Sequence, residues 1–420
     1  MNHGTLAGTN RRIAILGNHL PRQCGIATFT TDLSGAIAAE FSNADCFVVA
    51  MSDAGKLYAY PPRVRCVVAE SEIASYRAAA NYLNANNIDV VSVQHEYGIF
   101  GGRAGSYLLT LLRKLRMPIV TTVHTILGKP DSMQRRAMNE IARLSRRLVV
   151  MSAHGAALLQ NVHGVAEHKI DIIPHGIPSV PLTGRSKKEL GIEGKSVILT
   201  FGLLSPDKGI EHVIDALPAI LARHPDTVYV VLGATHPHIR ERCGESYRES
   251  LERRADQLGV ESSVIFHNRF VSRGELVRFL SAADIYVTPY LNPQQSTSGT
   301  LAYAVGSGKA VVSTPYLYAR ELLADGRGVL VPWRDAQAIA RTVVELLSDD
   351  AKRLALSARA AAHGRNMVWP AVARGYVQSF DRACLREPFA PGIGQGLPAR
   401  PSPLDVRTVE RESWIRRPAR

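Results

Sequence analysis

The sequence predicts an α/β protein built from two doubly wound, Rossmann-like domains in tandem. Short β-branched runs alternate with longer helical patterns along most of the 420 residues, which is typical of parallel sheets covered by helices. The runs fall into two sets, separated by a segment with three prolines and a glycine at 174–181, a composition typical of a linker. At about 150 residues per domain, the length accommodates two such domains.

The first set contains seven predicted strands. They lie at residues 11–17, 46–51, 64–68, 89–94, 118–124, 147–151 and 170–173. A loop rich in proline and glycine follows the first strand, and we expect the next helix to begin near Thr28 or Thr30. These strands predict a first domain over residues 11–178, preceded by ten flexible residues.

The second set contains six predicted strands, which indicate a second domain over residues 179–365. They lie at residues 196–201, 227–233, 264–267, 285–288, 310–313 and 328–331. Residues 386–420 are rich in proline and arginine, with little apolar periodicity, and we expect a disordered tail there. Ligands of doubly wound folds bind outside the carboxyl ends of the strands, so we expect a site in the cleft between the domains.

The charge balance indicates an anionic partner. Lys plus Arg number 50 against 37 Asp plus Glu, a net charge of +13. The basic residues form no polybasic block, which excludes an RNA chaperone and argues against a DNA-reading module. The five cysteines are scattered and never form a CxxC pair, so neither disulfides nor zinc are indicated. Since no apolar run of about 18 residues and no signal peptide is found, we expect a cytoplasmic protein.

Three loops are candidate phosphate sites, because each runs from a strand into a helix whose N-terminus favours an anion. The first ends at Gly25, and the second runs from Gly202 and carries Lys208 at its tip. The first loop would have the same composition if it were an ordinary tight turn, and the second if Lys208 were only a solvated loop lysine. The third contains residues suited to the N-terminal cap of a helix: Ser298, Gly299 and Thr300. The N–H groups at that helix end either face an anion or serve only to start the helix.

Polar side chains also follow two strands of the first domain. His95, Glu96 and Tyr97 follow one strand, and His124 follows the next. A histidine there is placed to donate a hydrogen bond to a substrate hydroxyl, although a buried structural histidine fits the sequence equally well. No spacing resembles a metal site, and we expect none.

A basic face is predicted on a helix near residue 140. Five arginines fall on one side of a 3.6-residue helical wheel, opposite apolar residues: Arg135, Arg136, Arg143, Arg146 and Arg147. The face is either solvated or a docking surface for anionic lipid or an acidic acceptor.

Together these segments resemble a retaining glycosyltransferase of the GT-B type, in glycosyltransferase family 4, from about Arg12 to Ala383. GLLSPDKG at 202–209 is similar to the family's GRLSPEKG, and NRFVS at 268–272, followed by AADI at 282–285, to its GFVS and AADV. PHGI at 174–177 stands where the family has NGVD, and ELL with GVLVP at 321–332 resembles PEIV and GLLVP. MVWPAVA at 367–373 resembles a helix that crosses back to the first domain, which we place at 366–385.

The resemblance implies hexosyl transfer, of mannose or glucose, from a nucleotide sugar to a saccharide or lipid-linked acceptor, with retention and without metal or cofactor. The diphosphate would lie on Lys208 and the helix start after Ser298, with Gly25 facing a phosphate. Phe270 and Val271 would line the base, and His124 would contact the transferred sugar. The acceptor would lie near His95, Glu96 and Tyr97. A nucleic acid is not implied, and membrane contact would be peripheral, at the inner face.

Three positions depart from the family pattern. Gln295 and Tyr303 stand where the family has its EX7E glutamates, which meet the sugar and the ribose, and Leu203 replaces the diphosphate arginine. The losses remove charge-assisted contacts to the donor. Two alternatives therefore stay open: a GT-B phosphorylase that uses phosphate or a sugar 1-phosphate, and a catalytically inactive sugar-binding or scaffold subunit.

Overall fold

The strands predicted in the first domain form one parallel sheet. The computed structural model describes residues 11–179 and 186–385. Its first sheet has the order β3-β2-β1-β4-β5-β6-β7. The strands are β1 (Arg12–Gly17), β2 (Asp45–Ser52), β3 (Val64–Ala69), β4 (Val90–His95), β5 (Ile119–Val123), β6 (Arg147–Val150) and β7 (Ile170–Ile172). The expectations for the termini, residues 1–10 and 386–420, lie outside the described residues.

The six strands predicted in the second domain form a second parallel sheet, with the order β10-β9-β8-β11-β12-β13. They are β8 (Ser196–Phe201), β9 (Thr227–Leu232), β10 (Val264–His267), β11 (Ile285–Thr288), β12 (Ala310–Ser313) and β13 (Val329–Leu330). In both sheets the strand order changes direction beside the first strand of the domain, β1 or β8. The loops that follow the central strands therefore lie together at one edge of the sheet. The predicted fold class is confirmed.

Helices cover both faces of each sheet. Those of the first domain are α1 (Gly25–Glu40), α2 (Ile73–Ala85), α3 (Tyr107–Leu112), α4 (Ser132–Leu144) and α5 (Ala153–His163). Those that follow are α6 (Ser186–Glu189), α7 (Ile210–Leu221), α8 (Pro237–Cys243), α9 (Ser246–Gln257), α10 (Arg273–Ala282), α11 (Gly299–Gly306), α12 (Leu317–Leu322), α13 (Ala336–Ser348), α14 (Asp350–Gly364) and α15 (Trp369–Cys384).

Strand β1 shows why the sheets are covered on both sides. Its residues 13–17 are all buried, and Ile13 is in register with Cys46 of β2 and Val90 of β4. Ala14 and Leu16 join a core formed with α2 and α3, whereas Ile13 and Ile15 join one formed with α1 and α15. A continuous apolar run is what a strand buried on both faces requires.

The C-terminal helix α15 crosses back onto the first domain. Its residues Trp369, Tyr376 and Phe380 are buried against the first sheet. Asp171 of β7 secures the crossing, because it accepts hydrogen bonds from Ser379 at 2.7 Å, Arg382 at 2.8 Å and the guanidinium of Arg147. The pKa of Asp171 is raised by burial, but the hydrogen bonds and cations outweigh this and hold it below the usual value.

Two helix ends differ from the sequence-based expectation. Helix α1 begins at Gly25, not near Thr28, because Cys24 adopts an extended conformation and its Sγ accepts a hydrogen bond from the Ala27 N–H at 3.3 Å. Helix α4 ends at Leu144, because Ser145 is extended and its side chain bonds to Thr121 of β5 at 2.8 Å.

The end of α4 corrects the predicted basic face. Arg146 follows the helix, and Arg147 begins β6 and forms an ion pair with Asp171. The prediction that these two arginines share a helical face with Arg135, Arg136 and Arg143 was therefore wrong. Arg143 pairs with Glu140 at 2.8 Å. The remaining arginines are exposed: Arg135, Arg136 and Arg146.

Candidate active site

Both domains contribute to a cleft of about 1460 Å³ at the carboxyl ends of the strands. Its walls are formed by the loops that follow β1 to β5 in the first domain and β8, β9 and β11 in the second. Eight of the residues singled out in the sequence line this cleft: Gly25, Glu96, His124, Lys208, Gln295, Ser298, Gly299 and Thr300. Leu203 lines it as well.

The second-domain wall holds a cation beside a helix N-terminus. The turn that carries Lys208 ends at Gly209, whose φ is +63° and on which a Cβ would lie 2.3 Å from the Pro289 carbonyl oxygen. Only glycine permits this close approach. The Lys208 ammonium lies 3.8 Å from the ring centroid of Tyr290, a cation–π contact that holds it at the cleft surface.

Hydroxyl groups join Lys208 to the start of α11. The Tyr290 hydroxyl lies 2.7 Å from the Thr300 Oγ1, which lies 3.1 Å from the Ser298 Oγ. The Ser298 Oγ caps the helix by accepting a hydrogen bond from the Leu301 N–H at 3.3 Å. Sequence reasoning missed Tyr290, because a tyrosine after a buried strand resembles a core residue. The arrangement suits an anion that needs N–H, O–H and ammonium donors.

His124 on the first-domain wall is neutral. Burial, reinforced by nearby His175 and His95, lowers its pKa to about 3. Its Nε2 lies 3.0 Å from the Oε1 of Gln94, whose Nε2 donates to Ser92 at 3.2 Å, so the amide orientation makes the His124 Nε2–H the donor. The Nδ1 is then an acceptor. The second ring nitrogen of His124 is therefore a hydrogen-bond acceptor, whereas the sequence had suggested a donor.

Glu96 brings a carboxylate to the same wall. It accepts hydrogen bonds from the Thr125 hydroxyl at 2.6 Å and from the Tyr97 backbone N–H at 3.0 Å. Burial raises the pKa of Glu96 despite these hydrogen bonds. The carboxylate is thus fixed in position at the cleft and retains acceptor capacity for hydroxyl groups.

The other two acceptor-side candidates are not cleft residues. His95 is fully buried and stacks on Phe100 with ring centroids 6.1 Å apart, and neither ring nitrogen has a hydrogen-bond partner among the described residues. Burial lowers its pKa to about 4. The Tyr97 ring packs edge-on against His95 at 5.0 Å, and its hydroxyl is buried.

The residues proposed for the base and ribose also lie outside the cleft lining. Val271 packs against the core of the second domain, and Phe270 is half-buried beside it. Gly202 lies behind the wall: a Cβ on it would be 3.1 Å from the Thr300 side chain. None of these three residues forms part of the cleft surface in this structure.

Tyr303 connects the two domains. Its hydroxyl donates to the Asp32 carboxylate of α1 at 3.3 Å, and the same carboxylate pairs with Arg273 of α10 at 3.2 Å. The Tyr303 ring is buried against Phe201 and His175, at centroid distances of 6.2 and 6.0 Å. A tyrosine reaches further than the glutamate it replaces, so this position serves an interdomain contact and does not face the cleft.

Sequence reasoning missed a charged group on the first-domain wall. Arg22 precedes α1 and pairs with Asp53 at 2.5 Å and with Glu70 at 3.9 Å. Lys56 lies 3.7 Å from Asp53, and the Tyr58 hydroxyl donates to the same carboxylate at 2.5 Å. All five residues line the cleft. The Pro-Arg before Gly25 was a visible signal, but the partners come from a different loop.

Two kinds of feature are absent from residues 11–179 and 186–385. No group of three or more histidine, cysteine or carboxylate side chains is placed to hold a metal ion. No helix in that part of the chain has the length and apolar character needed to cross a bilayer.

Two Rossmann-like domains that share a cleft at the carboxyl ends of their strands form the GT-B fold, the fold of a class of glycosyltransferases. Sequence profiles agree: residues 8–179 match Glycosyltransferase Family 4, and residues 183–363 match Glycosyl transferases group 1. The chain belongs to this family of group 1 glycosyltransferases and is a glycosyltransferase.

Characterised relatives and solved structures fit this assignment. The chain is 28% identical over 299 residues to the D-inositol 3-phosphate glycosyltransferase of Corynebacterium glutamicum, covering 66% of this chain and 70% of that protein. It is 25% identical over 320 residues to the phosphatidyl-myo-inositol mannosyltransferase of Mycolicibacterium smegmatis, covering 73% and 75%. The fold matches sucrose-phosphate synthase from Thermosynechococcus elongatus with a TM-score of 0.71 at 17% identity, covering 89% and 98%. It matches Anabaena HepE in complex with UDP and glucose with a TM-score of 0.68 at 17% identity, covering 88% and 99%.

Proposed function

We propose that the protein transfers a hexose, mannose or glucose, from a nucleotide sugar to a hydroxyl group of a saccharide or lipid-linked acceptor, with retention of the anomeric configuration. The observation that carries the proposal is the placement of Lys208 and the α11 N-terminus in one cleft with His124. The first pair suits a diphosphate and the histidine a sugar hydroxyl. The names of the relatives, among them a phosphatidyl-myo-inositol mannosyltransferase, support a hexosyl donor and a lipid-linked or polyol acceptor.

The donor diphosphate would bind at the start of α11. The free N–H groups of Gly299 and Thr300 and the Lys208 ammonium would surround its oxygens, while the helix dipole opposes their charge. As the glycosidic bond breaks, negative charge grows on the diphosphate, so these groups stabilise the transition state more than the ground state. The proposal assigns this work to protein groups and involves no metal or cofactor.

The sugar would lie between the diphosphate and His124. The Nδ1 of His124 would accept a hydrogen bond from one sugar hydroxyl. The side-chain amide of Gln295 donates to the Thr297 carbonyl at 2.7 Å, and its oxygen would accept a hydrogen bond from another sugar hydroxyl. The acceptor hydroxyl would attack from the face that the diphosphate leaves, and a diphosphate oxygen would take its proton. This sequence of events retains the configuration at the anomeric carbon.

The acceptor would enter along the first-domain wall. Glu96 and Asp53 offer oxygens to the hydroxyl groups of a polyol or saccharide, and Arg22 holds Asp53 in place. For a lipid-linked acceptor we propose a cytoplasmic enzyme in peripheral contact with the inner face of the membrane. The exposed arginines of α4 and the turn after it would face the lipid: Arg135, Arg136 and Arg146.

The test is a donor and acceptor screen. The purified protein is incubated with UDP-glucose, GDP-glucose or GDP-mannose, and release of the nucleoside diphosphate is measured with and without added monosaccharides, myo-inositol phosphate and phosphatidylinositol. We expect one donor to be hydrolysed slowly alone and faster with a suitable acceptor, and the product to keep the donor's α configuration by NMR. Absence of release with every sugar nucleotide, or a β-linked product, would contradict the proposal.

A further inference from the structure

The linker histidine His175 lies at the helix end to which we assign the diphosphate. It comes from the segment that joins the two domains, lines the cleft and is 8% exposed. Gly299, the first residue of α11, faces it: a Cβ on Gly299 would lie 2.9 Å from the His175 Nε2 and 3.3 Å from its Cε1. Glycine at position 299 therefore lets the imidazole approach the N-terminus of the helix.

The tautomer of this imidazole is set by the backbone. Its Nδ1 lies 2.8 Å from the carbonyl oxygen of Gly176. A carbonyl can only accept, so Nδ1 carries the hydrogen, and the neutral ring presents an Nε2 lone pair toward the helix end. A lone pair repels a phosphate oxygen. A proton on Nε2 converts the same contact into a charge-assisted N–H···O hydrogen bond.

The surroundings keep His175 neutral while the cleft is empty. The rings of Phe29 and Trp369 pack against it at centroid distances of 5.0 and 6.5 Å. Burial is the main reason that its pKa falls to about 4, and the hydrogen bond to Gly176 offsets only part of this effect.

The titratable and charged groups around His175 leave it without a partner of opposite charge. From β5 it faces His124, which is neutral, and from α11 it faces Tyr303, which lies between it and the Asp32 carboxylate of α1. Asp32 already pairs with Arg273. Lys208 also lines the cleft, but its charge has the wrong sign to pair with an imidazolium.

We infer that His175 is a proton-switched ligand of the donor diphosphate: Nε2 takes a proton from solvent as the donor binds and donates it in a hydrogen bond to a phosphate oxygen. The proton returns to solvent when the nucleoside diphosphate leaves. The imidazolium supplies positive charge at the site where Leu203 stands in place of an arginine. The inference rests on the proposed use of a nucleotide sugar and adds a donor-binding residue and a pH dependence to it.

The sign of the pH dependence follows from linkage. A group that is neutral in the free protein and protonated in the complex makes binding stronger as pH falls. One phosphate charge at contact distance in a partly buried site is enough to bring the pKa of the imidazole from about 4 to near neutrality. We therefore expect uptake of about half a proton per donor at pH 7 and an affinity about 10-fold weaker at pH 8 than at pH 6.

The experiment is calorimetric titration of the whole protein with UDP-glucose and GDP-mannose in two buffers of different ionisation enthalpy, from pH 6 to pH 8. Sugar nucleotides are suitable probes because their diesterified phosphates do not titrate in this range. His175→Asn introduces the residue that stands in the family's NGVD linker and removes the titratable ring, and His175→Gln serves the same purpose should the first variant be unstable. His168→Asn, at an exposed site outside the cleft, is the matched control.

We expect wild type and His168→Asn to take up protons on binding, and the His175 variants to bind more weakly at pH 6 with little change up to pH 8. Binding of a sugar nucleotide to the wild type without proton uptake overturns the inference but leaves the proposed function intact. The same uptake in the His175 variants as in the wild type also overturns it. Failure of every sugar nucleotide to bind the wild type overturns the proposed function and this inference together.

Discussion

Replacement of Lys208 by methionine tests the phosphate site most directly. The variant removes the ammonium that lies over the Tyr290 ring and keeps an unbranched apolar side chain, so the main change is the loss of the charge. Two unit charges about 4 Å apart interact by about 4 kcal/mol at an effective dielectric constant of 20. Lys208 is half-buried, and solvent screening reduces this to about 2 kcal/mol, or about 30-fold in donor affinity.

The stability of the fold should change far less than donor affinity. The cation–π contact with Tyr290 contributes about 0.5–1 kcal/mol, which corresponds to a shift of a few degrees or less in the melting temperature of a protein this long. Donor affinity is measured by calorimetric titration with UDP-glucose and GDP-mannose at low and high salt. The difference between wild type and Lys208→Met should narrow as salt screens the charge.

Lys56→Met is the matched control for Lys208→Met. Lys56 lines the same cleft, but its side chain is 63% exposed and lies 3.7 Å from Asp53 on the first-domain wall. We expect less than about a threefold change in donor affinity, in line with the small energies of exposed ion pairs. Equal donor affinities for wild type and Lys208→Met, with both proteins folded, would refute the assignment of the diphosphate to this wall.

Two further predictions concern the crossover helix and the basic face. Asp171→Asn leaves Arg147 without its buried counter-charge and should lower the free energy of unfolding by about 3 kcal/mol in urea denaturation at pH 7. Because the pKa of Asp171 lies below its usual value, the difference in unfolding free energy between wild type and Asp171→Asn should persist at neutral pH and vanish as the pH falls through the folded-state pKa. A difference in unfolding free energy at pH 2 equal to that at pH 7 would contradict this. In a second variant, three exposed arginines are replaced by glutamine: Arg135, Arg136 and Arg146. Its affinity for vesicles that contain anionic lipid, measured by co-sedimentation, should fall by about 1 kcal/mol per residue, whereas its binding to neutral vesicles should not change. Unchanged binding to the anionic vesicles would exclude this face as a lipid contact.

The sequence predicted the thirteen strands and their division into two sheets because buried parallel strands are short, apolar and bounded by glycine and proline. It predicted much of the second-domain wall for a related reason. Lys208 lies in the loop after β8, and Gly299 begins the helix that follows the loop after β11. Such loops meet at one edge of a parallel sheet.

Side chains whose partners are distant in sequence could not be assigned in this way. Whether a histidine faces a ligand or a core depends on the elements packed around it: His124 lines the cleft, while His95 is buried behind it. The same is true of Tyr303, whose hydroxyl bonds to Asp32, 271 residues away. The helical wheel failed at Arg147 because Asp171, on the neighbouring strand, holds that arginine at the start of β6.

By itself the sequence therefore determined the fold class, the family and the position of the candidate anion-binding loops, all of which follow from local patterns. The tertiary structure decided which polar groups share the cleft, the tautomer of His124 and the contact between His175 and Gly299. These depend on distances between elements far apart in the chain, and no local pattern records such distances.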